Sequence, residues 1–284
     1  MRKLLLAALI VLPMTAWGQD FSFDARASVE VNAKLAKGLH IGVTEELRTG
    51  GGFTKLGSLR TDVSLTYKPV SFLKVGVGYV NINPYKTDKT IELADETEQS
   101  YTGFWNPRHR FYADVTGHLK LGRFSLSLKE KLQFTHNSDY SANPYQSTRN
   151  SLVLKTKLGA KYNGWNHVTP GLSLEIRTPL NEPWGSVSGS ELTSGSGKKY
   201  YNYTHTGYTH AYINRLRLDA GAEIEFSRHH SLEPYVLLDY DMDYEIDTNG
   251  PSNWAEDGVR LFSATTGWQY GWNLIAGLKY TFSF

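Results

Sequence analysis

Residues 272–284 read WNLIAGLKYTFSF. Trp272, Leu274, Ala276, Leu278, Tyr280, Phe282 and Phe284 occupy one set of alternate positions, and Asn273, Ile275, Gly277, Lys279, Thr281 and Ser283 the other. Successive side chains of a β-strand point to opposite faces, so this is a strand with one apolar face. The alternation runs through the final aromatic residue. The expectation is a closing strand that meets apolar surroundings along one whole face and is held to its end.

The same period recurs upstream, with no 3.6-residue period to compete with it. ARASVEVNAKLA, LHIGVTEEL, SLRTDVSLTYK, LKVGVGY, HRFYADVTGHLK, FSLSLKEKLQF, SLVLKTKLGAKY, HVTPGLSLEIRT, YINRLRLDAGAEIEF and LEPYVLLDYDMDY each set an apolar face against a polar one. Short turns (AKG, KPVS, KLGR, NGWN, RHH) alternate with long polar segments at 83–106, 136–148, 179–207 and 247–266. Short turns on one rim and long loops on the other mark an outer-membrane barrel. A soluble sandwich does not sort its loops by length in this way. The apolar faces persist for five to seven positions in the longest segments, and aromatics gather at strand ends, as membrane-interface girdles require. The fold expected is an all-β, antiparallel up-and-down transmembrane β-barrel. Eleven segments are visible, but single-chain bacterial barrels have even strand numbers, so about 12 strands are expected, with ten as the alternative.

Mean hydropathy is −0.40. That excludes a bundle of membrane helices but not a barrel, whose strands turn only every second residue to lipid. Arg2 and Lys3, the run LLLAALIVLP and the small residues of AWG read as a secretory signal peptide over residues 1–18, leaving 19–284 as the barrel domain. The apolar run, roughly 10 residues, is short of the about 20 a membrane helix needs. With no cysteine in the chain there is no disulfide and no lipoprotein anchor. Removing Arg2 and Lys3 takes the formal charge from +2 to near zero, which does not suggest a nucleic-acid partner.

Five segments in this order, TEELR, TDVSLTYKP, LKVGVGYVNINPY, RHRFYADVTGHLKLGRFSLSLKEKLQF and RLRLDAGAEIEFSRHHSLEPYVLLDYD, resemble a family of Gram-negative outer-membrane β-barrels catalogued only as a domain of unknown function. The resemblance spans nearly the whole mature chain. It implies localisation in the outer membrane of a Gram-negative bacterium, contact with outer-membrane lipid and lipopolysaccharide, and recognition of the aromatic C-terminus by the barrel-assembly machinery. It brings no substrate and no catalytic residues.

The polar faces carry the candidate chemistry. Arg60, Asp62, Arg110, Asp114, Lys129, Lys155, Arg177, Arg215, Arg217, Asp219, Glu223, Asp239 and Asp241 all fall on the side opposite the apolar positions. They are the candidate pore-lining residues of a polar lumen. The same charges could instead pair and fill a small barrel. Glu45 and Glu130 fall on the apolar side, and the expectation is a β-bulge that reverses the alternation there, with an oligomer contact as the alternative. His229 and His230 are adjacent, so a strand would point them apart, and a solvated turn is expected rather than a metal site. GSGKK at 195–199 lacks the Ser or Thr of a phosphate loop. No cofactor, metal or catalytic residue is expected. A passive channel for small polar solutes is the leading functional expectation. One alternative is a closed barrel whose Tyr-, Trp- and Asn-rich loops bind a glycan or protein partner. Another is a lipid-modifying enzyme, a barrel lipase or deacylase, although no local motif names a Ser/His pair.

Overall fold

The computed structural model describes residues 20–50, 53–86, 88–92, 98–137, 150–193, 199–249 and 263–284, so the expected signal peptide lies outside the described residues. Every regular element among them is a strand. In chain order these begin with β1 (Asp20–Ala36), β2 (Leu39–Gly50), β3 (Lys55–Val70) and β4 (Leu73–Lys86), then the short β5 (Lys89–Glu92), β6 (Glu98–Tyr101) and β7 (Phe104–Trp105). Next come β8 (Arg108–Leu121), β9 (Phe124–Asn137), β10 (Ser151–Tyr162) and β11 (Val168–Pro179). After β12 (Glu182–Thr193) and β13 (Lys199–His210) the chain ends with β14 (Arg215–Glu225), β15 (His230–Asn249) and β16 (Ser263–Ser283).

Eleven strands close into a barrel, in the order β1, β2, β3, β4, β8, β9, β10, β11, β14, β15, β16 and back to β1. They are the eleven segments that the alternation marks. Neither 12 strands nor ten is correct, and the ring is not wholly antiparallel. Strand direction reverses at each step of an up-and-down chain, so an odd number leaves the first and last strands pointing the same way. The closing pair β1–β16 is accordingly parallel, in register from Asp20↔Gly271 to Asn32↔Ser283. Its bonding reaches the end of the chain: the Phe284 amide donates to the Asn32 carbonyl (3.0 Å) and the Lys34 amide to the Phe284 carbonyl (3.1 Å).

Short connections at 37–38, 71–72, 122–123, 163–167 and 226–229 share one rim with Phe284. Gly38 makes the first of them possible. Its φ is +76°, and a Cβ there would lie 2.6 Å from the Lys68 carbonyl oxygen. His229 and His230 sit at another, bonded to the closing strand through the Ser283 carbonyl (2.6 Å) and the Tyr280 hydroxyl (2.5 Å). The opposite rim carries the longer excursions. β5 and β6 form one hairpin, β7 pairs with the end of β4, and β12 and β13 pair with each other along their full lengths outside the barrel. Of the long segments read as loops, 93–97, 138–149, 194–198 and 250–262 lie outside the described residues, and with them all of GSGKK but Lys199.

The two faces are partitioned in the reverse sense to a soluble protein. Val77, Phe111, Leu128, Leu158 and Leu172 point away from the barrel axis and are each more than half exposed. Asp239, on the inner side, is 1% exposed. Rings gather at the ends of the outer face: Tyr79 with Phe111 and Tyr240 with Trp272 toward the loop rim, Phe124 with Tyr162 and Phe282 with Phe284 at the turn rim. Glu45 and Glu130 stay on that outer face. The pairing runs in regular register through both, so the expected reversal is absent; the nearest shift falls at Arg48/Thr49. Each carboxylate instead accepts a hydrogen bond from a threonine directly opposite, Thr61 to Glu45 (3.0 Å) and Thr156 to Glu130 (2.8 Å).

Inside, aromatic rings lie over glycines of neighbouring strands. A Cβ on Gly277 would come 2.0 Å from the Tyr235 ring, and one on Gly78 would come 2.3 Å from the Tyr112 ring. The missing side chain is what makes room for the ring. Gly277→Val is expected to destabilise the barrel by about 1–3 kcal/mol through overpacking, read by chemical denaturation, and Tyr235→Ala in the same chain should recover part of the loss.

Candidate functional site

Register alone brings the inner charges together. Arg217 stands directly opposite Asp239 and Arg215 opposite Asp241 on β14 and β15, and Glu175 faces Arg217 from β11. Arg217 donates two parallel bonds to Asp239, Nε to Oδ1 and Nη2 to Oδ2, both 2.6 Å. That is the bidentate geometry in which guanidinium and carboxylate bind most strongly. Arg215 bonds Asp241 and lies 3.8 Å from Asp239. Lys155 reaches Glu175 at 3.3 Å, and Arg217 lies 3.8 Å from the same carboxylate. Six groups on β10, β11, β14 and β15 thus form one network, anchored on the buried Asp239.

Nearer the turn rim the pairs are separate: Lys157 with Asp219 (2.9 Å) and Lys161 with Glu223 (3.2 Å). Lys129 meets Asp114 at 3.2 Å, and Lys279 meets Glu30 across the closing seam. Asp62 accepts a bond from the Tyr112 hydroxyl (2.9 Å), and Lys131 lies 3.5 Å from the centre of that tyrosine ring.

The other wall is different. Arg26, Arg48, Arg60, Arg108 and Arg110 come from β1, β2, β3 and β8. Arg48 bonds Glu46, and Arg110 donates to the Thr135 hydroxyl at 2.9 Å. Among the described residues, Arg26, Arg60, Arg108 and Arg110 form no ion pair. The Nε atoms of Arg60 and Arg108 are buried without a hydrogen-bond partner. Two cavities adjoin this wall. One of about 310 Å³ lies among Arg26, Arg48, Arg60, Arg108 and Arg110. The other, about 340 Å³, lies between Arg48, Arg60 and Arg110 on one side and Lys131, Lys155, Arg177, Arg215 and Arg217 on the other. Arg48, Arg60 and Arg110 border both.

All thirteen residues singled out in the sequence occupy the inner face. Arg60, Asp62, Arg110, Lys155, Arg177, Arg215 and Arg217 border the 340 Å³ cavity. Asp114, Lys129, Asp219, Glu223, Asp239 and Asp241 do not, and each is held in an ion pair. Arg26, Glu46, Arg48 and Arg108 were missed. The alternation that placed Arg60 inward places them inward too, opposite Ala27, Leu47 and His109. Among the described residues no group of three or more His, Asp or Glu is arranged to hold a metal ion.

Breaking the buried pair has a specific cost. Arg217→Met leaves Asp239 charged and unpaired, and is expected to destabilise the barrel by about 3–5 kcal/mol. The double variant Arg217→Met/Asp239→Leu should recover most of it, as read from denaturation midpoints.

A family model described as "Protein of unknown function (DUF2490)" matches residues 27–194, more than half of the chain. The match runs from within β1 through the whole of β12 and stops before β13, β14, β15 and β16. No curated protein matches the chain.

Proposed function

The chain belongs to that family of unknown function, and from that premise we propose that it is a membrane-spanning β-barrel of a bacterial outer membrane whose lumen passes small polar solutes. The observation that carries this reading is the reversed partition: apolar side chains exposed on the outer face and ionised ones gathered inside. Soluble monomers rarely expose contiguous apolar patches beyond a few hundred Å², whereas a lipid-facing belt is expected to be apolar throughout. Strand length agrees. About 9–11 tilted residues cross the hydrocarbon core, and the shortest barrel strand, β14, has 11. The aromatic rings at both ends of the outer face suit the two interfaces. The two inner cavities, which share Arg48, Arg60 and Arg110 in their linings, support a polar path along the interior.

A second reading has an observation of its own. β12 and β13 form a hairpin of 12 residues per strand that stands outside the barrel on the loop rim. That supports a closed barrel that presents a binding surface to a glycan or protein partner. Deleting residues 183–204 separates the two readings: a channel keeps conducting, and a binder loses its ligand.

The first test is single-channel recording of the refolded protein in a planar bilayer, where discrete, reproducible steps are expected. A folded but silent barrel would sink the channel and leave the hairpin reading. A second measurement addresses the lipid contact. Replacing Glu130 by Leu removes a carboxylate from the outer belt and is expected to stabilise the barrel in lipid vesicles by about 1 kcal/mol or more, net of the lost Thr156 bond. A loss of stability would mean that Glu130 has a partner other than lipid.

A further inference from the structure

Like charges directly opposite one another on adjacent strands are destabilising, yet the inner wall places them so repeatedly. Lys131 faces Lys155, Lys155 faces Arg177, and Arg177 faces Arg215, a single level of four cations across β9, β10, β11 and β14. On the opposite wall Arg26 faces Arg48. The 340 Å³ cavity lies between this row and Arg48, Arg60 and Arg110. The carboxylates on its lining are Glu46 and Asp62, the first bonded to Arg48 and the second to Tyr112. Glu175, Asp239 and Asp241 balance Lys155, Arg217 and Arg215, but no carboxylate among the described residues lies within ion-pair distance of Arg60 or Arg110, and Arg110 donates only to the neutral Thr135 hydroxyl. Arg60 also keeps a buried Nε without a hydrogen-bond acceptor. Buried polar atoms are rarely left unsatisfied unless a ligand or a function accounts for them. An acceptor with negative charge would satisfy these guanidinium groups.

We propose that this cavity is a binding site for a free oxyanion of the phosphate type, held by the Arg60 and Arg110 guanidinium groups against the Lys131–Lys155–Arg177 row. The guanidinium fork matches the paired oxygens of phosphate or carboxylate, and a cluster of forks selects such an anion over a spherical halide. The space accommodates inorganic phosphate or a small phosphorylated or polycarboxylated solute. The same charges repel cations beside the arginines that line both cavities. The inference names the solute class for the lumen already described, and it rests on that lumen being open to water, not on conduction.

The test is titration calorimetry of the refolded full-length barrel with inorganic phosphate in a low-chloride buffer. Folding of each variant is checked by its heat-dependent electrophoretic shift. Saturable binding is expected. Arg60→Gln and Arg110→Gln should each weaken it about tenfold or more, the value of a charge-assisted bond. Lys161→Gln, paired with Glu223 toward the turn rim, should leave it unchanged. Arg60→Lys keeps the charge but loses the fork, and covers the case in which Arg60→Gln does not fold; a measurable weakening is expected there as well. Absence of saturable binding by a folded barrel, or binding indifferent to both arginines, overturns the proposal. Bilayer recording of the same preparation keeps the two ideas apart. A silent barrel that binds phosphate sinks the channel and leaves the anion site. A conducting barrel that binds no phosphate does the reverse.

Discussion

The structure depends on closure of its sheet. A strand edge carries a row of unpaired N–H and C=O groups, and no membrane interior can satisfy them. Here the last edge is removed by pairing β1 with β16, over thirteen residue pairs and on to Phe284. Eleven strands make that pair parallel, and the chain's first and last strands therefore begin and end on opposite rims. Parallel bonds are slanted and slightly weaker per residue than antiparallel ones. Length and side chains offset this. Glu30 and Lys279 form an ion pair across the seam, and Asn273 donates to Asp24 at 3.1 Å.

Once the ring is closed, alternation does the rest. Every second side chain must point into a small enclosed space, and every other one must point out. Alternation alone does not decide which set is polar; a lipocalin-like barrel would reverse it. In this chain the inner space takes the charges. Their pairing follows from register, because Arg217 and Asp239 meet only if β14 and β15 align as they do. A slip of β14 by one residue would send Arg217 to the outer face and leave Asp239 inside without it. Charge pairing inside and apolar exposure outside are thus two consequences of one register.

Much of this was legible in the sequence. The eleven alternating segments are the eleven barrel strands, and the thirteen candidate residues fall on the inner face, seven of them bordering the cavity. What was misread has physical reasons. The strand number failed because evenness is a rule drawn from other barrels, and nothing in local pattern forbids a parallel seam. β12 and β13 were read as loop because the alternating apolar face marks strands of the ring, not a strand as such. KYYNYTHTGYTH pairs with its neighbour outside the ring and needs no apolar face. Glu45 and Glu130 were expected to force a bulge because a lone carboxylate on an apolar face is costly; the opposing Thr61 and Thr156 hydroxyls were not visible without the register. The cationic row was hidden for the same reason. Lys131, Lys155, Arg177 and Arg215 are far apart in sequence and become neighbours only when four strands are aligned.

The central claim is that the apolar face meets lipid and the charged face meets water. The absence of native cysteine permits a direct measurement. Single cysteines are placed one at a time along β9 at Leu128, Lys129, Lys131 and Leu132 in the barrel inserted into vesicles. Each is then probed with a water-soluble thiol reagent and with a fluorophore quenched by brominated acyl chains. The account predicts strict alternation, with reagent reaching the cysteines at 129 and 131 and lipid quenching those at 128 and 132. Lipid quenching at 129 and 131, or reagent access without alternation, would contradict it.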